Sequence, residues 1–289
     1  MINMKTGLRI MALIVLIQLM PSVTQAQQDV QDDRSVMILP FDPNMYFSDA
    51  DDKLAKYNDK SIKEVQTLFR YGLNINVNAK ILSQYQTRPL LTDTARGAVE
   101  DLYAIYKGIS YFKDKSNPAP KTEQNAYASG EKKKFFNLKK SGESAGQKAS
   151  SVEAPDRVHE YMNVKIHDSR MLPFLKDKYG TSIFVFLNQF DLVTNYEHCL
   201  DRATNTFERD IKVHFSIFDY NGKQLAGDVA VVHFPSNSND ITEIMRNNFP
   251  AIADYLAKEL PIATSSPRES PQKISSEKEL EYMQLEKSE

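Results

Sequence analysis

The stretch 210–233 constrains this chain more than any other. Two runs of alternating apolar and polar residues flank Asp219-Tyr220-Asn221-Gly222-Lys223, and a period of two marks a half-buried strand. An Asn-Gly pair between two such runs predicts a hairpin. Two turns compete. A two-residue turn on Asn221-Gly222 would set Ile211, Val213, Phe215 and Ile217 on one face together with Asp228. A three-residue loop with Gly222 in a left-handed bulge pairs Asp219 with Lys223 and divides the residues more cleanly. Ile211, Val213, Phe215, Ile217, Leu225, Gly227, Val229 and Val231 then share one face, and Lys212, His214, Ser216, Gln224 and Asp228 the other. The bulged turn is expected. It places His214 beside Asp228, and His214 and His233 on opposite faces.

Two further runs are apolar on both parities and read as strands buried on both sides: 36–41 (VMILPF) and 183–193 (IFVFLNQFDLV). A loop with four aspartates spans 42–52. A helix follows on Ile62, Val65, Phe69 and Leu73, capped by Asp59 or Ser61 and continuing weakly through Ala79 and Leu82. Thr92, Asp93 and Thr94 open a second helix striped with Val99, Leu102, Tyr103 and Tyr106. Residues 158–166 alternate as a strand, and Ser169 caps a short helix over 171–179 that Gly180 ends. The last helix, capped by Asn239 or Asp240, carries Ile244, Phe249, Ile252, Leu256 and Leu260, with Pro250 expected to bend or divide it. The order predicts a single α/β domain (α+β-like): a mixed sheet with a C-terminal antiparallel hairpin, packed by helices.

The flanks have a different composition. Lys5 and Arg9 precede an apolar run over 10–20, and Val23-Thr24-Gln25-Ala26 follows Pro21. That is the order of a secretory signal peptide over 1–26, cleaved after Ala26, and its apolar run is too short to span a bilayer. No cysteine stands beside that point to take a lipid. Removing Lys5 and Arg9 leaves 34 basic residues against 38 acidic, net -4, which argues against non-specific nucleic-acid binding. Residues 27–35 read as disordered. So does 113–156, rich in lysine, serine and small residues, which cannot bury enough surface to offset its ordering entropy. The run Lys132-Lys133-Lys134-Phe135-Phe136 within it reads as solvated. The tail 261–289 reads as disordered, with a frayed helix near 277–287. The domain is thus expected in two parts, 36–112 and 157–260.

The VMILPF strand resembles the opening of the amino-terminal domain of the periplasmic protein TolB and its relatives, among them CsgG and LpoB. Leu175-Lys176-Asp177-Lys178-Tyr179-Gly180 followed by 183–190 resembles that family's helix-glycine-strand step, and Ile217-Phe218-Asp219-Tyr220-Asn221-Gly222-Lys223 its hairpin turn. The resemblance covers about 36–260 without the lysine-rich insertion. Asn188 stands where the family's central strand usually has glycine. The resemblance implies a bacterial envelope domain that serves interaction or assembly and is not an enzyme.

The residues themselves give few sites. The lone Cys199 excludes an intramolecular disulfide and a cysteine-built zinc site. His159, His167, His198, His214 and His233 show no H-x-H or H-x-x-x-H spacing. His167-Asp168-Ser169 are neighbours, whereas a catalytic triad gathers side chains from separate positions, so they read as a capped turn. Asp42, Asp49, Asp51 and Asp52 are the candidate metal ligands: the loop follows the first strand and is rich in oxygen, but Phe47 stands where a calcium loop needs glycine. No catalytic residue, no cofactor and no resident metal is assigned. The expected function is that of a non-enzymatic periplasmic or secreted accessory that binds another envelope protein or the cell-wall machinery. Neither nucleic acid nor a membrane-spanning segment after signal cleavage is expected. The alternative is a ligand- or divalent-metal-binding protein, or a hydrolase, using the acidic loop.

Overall fold

A strand that is apolar on both parities needs cover on both faces, and two neighbouring strands meet that demand at the centre of the sheet. In a computed structural model that describes residues 35–93, 97–116 and 160–261, β1 (Ser35–Leu39) runs parallel to β6 (Ile183–Asp201). Val36 and Ile38 point to one side and Met37 and Leu39 to the other, all four buried. The signal segment 1–26, the stretch from 27 to 34, the KKKFF run, His159 and the tail beyond 261 lie outside the described residues.

The sheet order is β3 (Gln86–Pro89), β1, β6, β7 (Thr206–Asp219), β8 (Gln224–Pro235), with β2 (Tyr46–Ser48) pairing with β6 where β1 has ended. Every pairing that involves β1, β2 or β3 is parallel, and the pairings of β6 with β7 and of β7 with β8 are antiparallel. A separate antiparallel ribbon joins β4 (Ile109–Lys115) to β5 (Glu160–Ile166). This is the expected α/β class with a mixed sheet and a C-terminal hairpin. Among the described residues no helix is long and apolar enough to cross a membrane.

One sheet face packs on α1 (Asp51–Asn58), α2 (Ile62–Ile81) and α5 (Ile241–Lys258). Phe190 is its hub. Its ring lies 5.4 to 5.6 Å from those of Tyr46, Phe41 and Phe69, and 6.2 Å from Phe249, within the range of favourable aromatic pairs. Ser61 and Glu64 start α2 with a reciprocal capping box, as Ser61-x-x-Glu64 allows. The other face meets α3 (Ala98–Lys107), α4 (Met171–Tyr179) and the ribbon.

Several expectations are corrected. The acidic loop is shorter than expected, because Asp51 and Asp52 form the first turn of α1 and Asp59 ends that helix in a left-handed conformation. The stripe of α3 is shifted: Ala98, Leu102 and Ile105 face inward, while Val99 and Tyr103 are exposed. Asp240 caps α5, which passes unbroken through Pro250. The helix 171–179 lies where expected, with Gly180 left-handed beyond it, but among the described residues no side chain caps its start; Asp168 instead holds the Arg170 amide at 2.9 Å and its guanidinium. Ser35 already belongs to β1. Lys113, Asp114 and Lys115, read as the start of a disordered insertion, pair with β5, where Asp114 accepts a hydrogen bond from Asn163.

The hairpin is right at its turn and slipped beyond it. Gly222 has φ +83° and donates to Asp219 O, while the Asp219 amide donates to Lys223 O, both at 3.0 Å. Phe218 then faces Gln224 as the bulged turn requires, but Ile217 faces Ala226. Leu225 is an extra residue, and a one-residue slip turns every later side chain of the strand over. Ala226, Ala230 and Val232 therefore face the helices together with Asp228. Asp228 is buried there because Tyr255 of α5 donates a hydrogen bond to it. Burial, then this carboxylate, raise the Tyr255 pKa.

Candidate functional site

The slip decides which polar residues meet. On the face away from the helices, β7 presents Glu208, Asp210, Lys212, His214 and Ser216, and the cross-strand partner of Asp210 is His233. His214 and His233 thus share a face, contrary to expectation. At four residues' separation they stand about 13 Å apart along the strands.

Two centres result. In the inner one, the Met162 amide donates to His214 Nδ1 at 3.0 Å, so this nitrogen is bare and Nε2 carries the proton, donated to Asp191 Oδ2 at 3.0 Å. Gln189 donates to the same carboxylate. Around it Asn188 donates to Ser216 Oγ and to Met162 O, both at 2.7 Å, and Ser216 donates to Asn163 Oδ1 at 2.6 Å. Asn188 bulges out of the pairing between β6 and β7, so its side chain can reach the ribbon. These bonds seat β5 on the sheet. Gly227 permits the approach: a Cβ there would stand 2.0 Å from Tyr161 Oη.

The outer centre lies where the sheet narrows. His233 Nδ1 is 2.7 Å from Asp210 Oδ1 and 3.6 Å from Glu208 Oε1, and His198 Nδ1 is 2.9 Å from Glu208 Oε1. His198 reaches it because Tyr196, Glu197 and His198 intervene on β6 between residues that pair with consecutive residues of β7. The hydrogen bond to Glu208 is the chief cause that raises the His198 pKa. Glu208 and Asp210 are mostly covered, His198 and His233 more open. Lys212 Nζ stands 3.8 Å from Asp210 Oδ2. On the opposite face Arg209 is buried and donates to Ser236 O at 3.0 Å, holding the turn into α5. Burial lowers the Arg209 pKa. Two carboxylates around one imidazole can hold a cation, or a protonated histidine.

The sequence candidates lie elsewhere and apart. Asp42 accepts from Asn44, Asp49 from the Thr194 amide and hydroxyl, and Asp51 from Tyr46 Oη at 2.6 Å. Asp52 sits in the first turn of α1, where a carboxylate offsets the helix dipole. Among the described residues, the three-donor group within 4.8 Å is Glu208, Asp210 and His233; Asp42, Asp49, Asp51 and Asp52 form none. His167, Asp168 and Ser169 are exposed, and Asp168 serves Arg170. Cys199 is half-buried in the β6–β7 ribbon, its Sγ 3.8 Å from Thr206 O. The outer centre escapes a sequence reading because its members belong to three strands. The signal for it was Glu208-x-Asp210, two carboxylates on one face of a strand.

Comparison with known sequence families, with curated proteins and with solved structures finds no match to this chain.

Proposed function

We propose that the chain is an exported, non-enzymatic accessory of the bacterial cell envelope that acts by binding another envelope protein through its β6–β7 arm. The observation that carries this reading is the arm's reach. β8 ends at Pro235, opposite Glu208, and β2 ends opposite Leu192, so among the described residues β6 and β7 continue alone from about residue 195 to 207. Tyr196 is 63% exposed on this arm and Leu200 46%, and at its base Val193 and Phe47 are 40% and 50% exposed. A two-stranded ribbon offers little burial of its own, and aromatic side chains on such a projection suit a protein partner. The signal-like start supports export, and the resemblance of the VMILPF strand and the hairpin turn to the TolB group supports an envelope role.

Site-specific photo-crosslinking in living cells tests it, from position 196 or 200 and from the exposed Tyr57 of α1 as control. A discrete adduct with one envelope protein from the arm, absent from position 57, is expected on a mature chain that starts at Gln27. Equal crosslinking from both places, or a chain kept in the cytoplasm with its first 26 residues, overturns the proposal.

A further inference from the structure

We infer that Glu208, Asp210 and His233 form a binding site for one divalent transition-metal ion, zinc by preference, with His198 orienting Glu208 from outside the coordination shell. The spacing is the first argument. Ligand atoms of a tetrahedral zinc ion with bonds near 2.0 to 2.1 Å stand about 3.3 Å from one another. The His233 nitrogen is 2.7 Å from Asp210 Oδ1 and 3.6 Å from Glu208 Oε1, and all three donors lie within 4.8 Å of one another. Against that spacing, the two distances from the His233 nitrogen differ by about 0.6 and 0.3 Å.

The donor set is the second argument. One imidazole nitrogen with two carboxylate oxygens suits zinc and its neighbours, whereas calcium takes six to eight oxygens. Three protein ligands leave a fourth position to water or to a group from a partner. The frame is the third. His233 is the cross-strand partner of Asp210, and Glu208 lies two residues along the same face of β7, so the pairing itself fixes all three positions. His198 donates to Glu208 Oε1 at 2.9 Å, as groups beyond the first shell do for ligating carboxylates.

On loading, the Nδ1 proton that His233 donates to Asp210 is released to solvent, Nδ1 gives its lone pair to the metal, and the neutral ring carries its proton on Nε2. Nδ1 now faces Asp210 Oδ1 and Glu208 Oε1, so a bound ion takes over this attraction. Lys212 stands on the rim as a competing cation, 3.8 Å from the second Asp210 oxygen. Val193 pairs with Asp210 across β6 and flanks the site without charge. The ion would tie β7 to β8 at the root of the arm. It does not depend on the arm having a partner.

The test is titration of the purified, chelator-stripped full chain with zinc chloride alone, followed by calorimetry and thermal melting. One zinc per chain and a raised Tm are expected, with calcium and magnesium giving no such rise. His198→Ala is expected to weaken zinc about 10- to 100-fold, and Asp210→Asn and His233→Ala to weaken it further. If those two variants fail to fold, the cobalt-loaded natural chain decides: a tetrahedral visible spectrum with a paramagnetically shifted imidazole N–H signal supports the site. No stoichiometric zinc, equal affinity in folded His233→Ala, or an octahedral all-oxygen cobalt spectrum overturns it.

Discussion

The two faces of β7 are built on opposite terms. Ile211, Val213, Phe215 and Ile217 look toward α2 and α5 and are sealed from water. Between them, Glu208, Asp210, Lys212, His214 and Ser216 look the other way, onto hydrogen-bonded polar groups and, at the outer end, toward solvent. The first face holds the fold by area and shape, which many apolar sequences would satisfy. The second holds its neighbours by named atom pairs, which few sequences would. Stability therefore concentrates on the helix side and chemistry on the other.

Truncating the hub of the helix side should have the largest effect. Phe190→Ala is expected to cost about 3 to 5 kcal/mol in urea unfolding, from lost burial and the cavity left among Phe41, Tyr46, Phe69 and Phe249. A loss below 1 kcal/mol would show that the two faces contribute alike. Next comes Asp228, an acid buried on the apolar side. Tyr255→Phe removes the hydroxyl that serves Asp228 and should cost about 1.5 to 3 kcal/mol.

On the polar side, Gly227→Ala drives a methyl against Tyr161 and should cost about 1 to 3 kcal/mol by overpacking. Amide exchange at Met162, read by NMR, should quicken with it, since that amide is held by His214. Unchanged exchange would mean the ribbon is seated by other bonds. Lys80→Ala is the smallest: the exposed pair of Lys80 with Asp254 joins α2 to α5 outside both faces, and its loss should stay within about 1 kcal/mol.

The apolar half of this design is legible in the sequence. Val36 to Leu39, the run from Ile183 and the odd residues of β7 declare their burial by pattern, and Asp219 to Lys223 declare the turn. The polar half is not. Asp228 looks like a solvent residue until Tyr255, on a helix beyond the hairpin, gives it a reason to be inside. The extra residue Leu225 follows from that, and inverting β8 hides the meeting of Asp210 with His233. The loop aspartates misled because Asp42, Asp49 and Asp51 stand close in sequence, but each answers a different donor, Asn44, Thr194 and Tyr46 in turn. Alternation reports what water avoids. It says nothing of which distant hydroxyl a carboxylate will find.

The pairing of β4 with β5 has a consequence for variation. Lys115 and Glu160 are opposite one another at the end of the ribbon, so whatever chain joins them leaves and re-enters the domain at a single doorway. For any flexible chain held at two fixed ends, closure grows costlier only slowly, by about 0.6 kcal/mol per doubling of length. Ends held side by side by the ribbon's own pairing therefore place a weaker demand on the length of what joins them than ends on distant elements would.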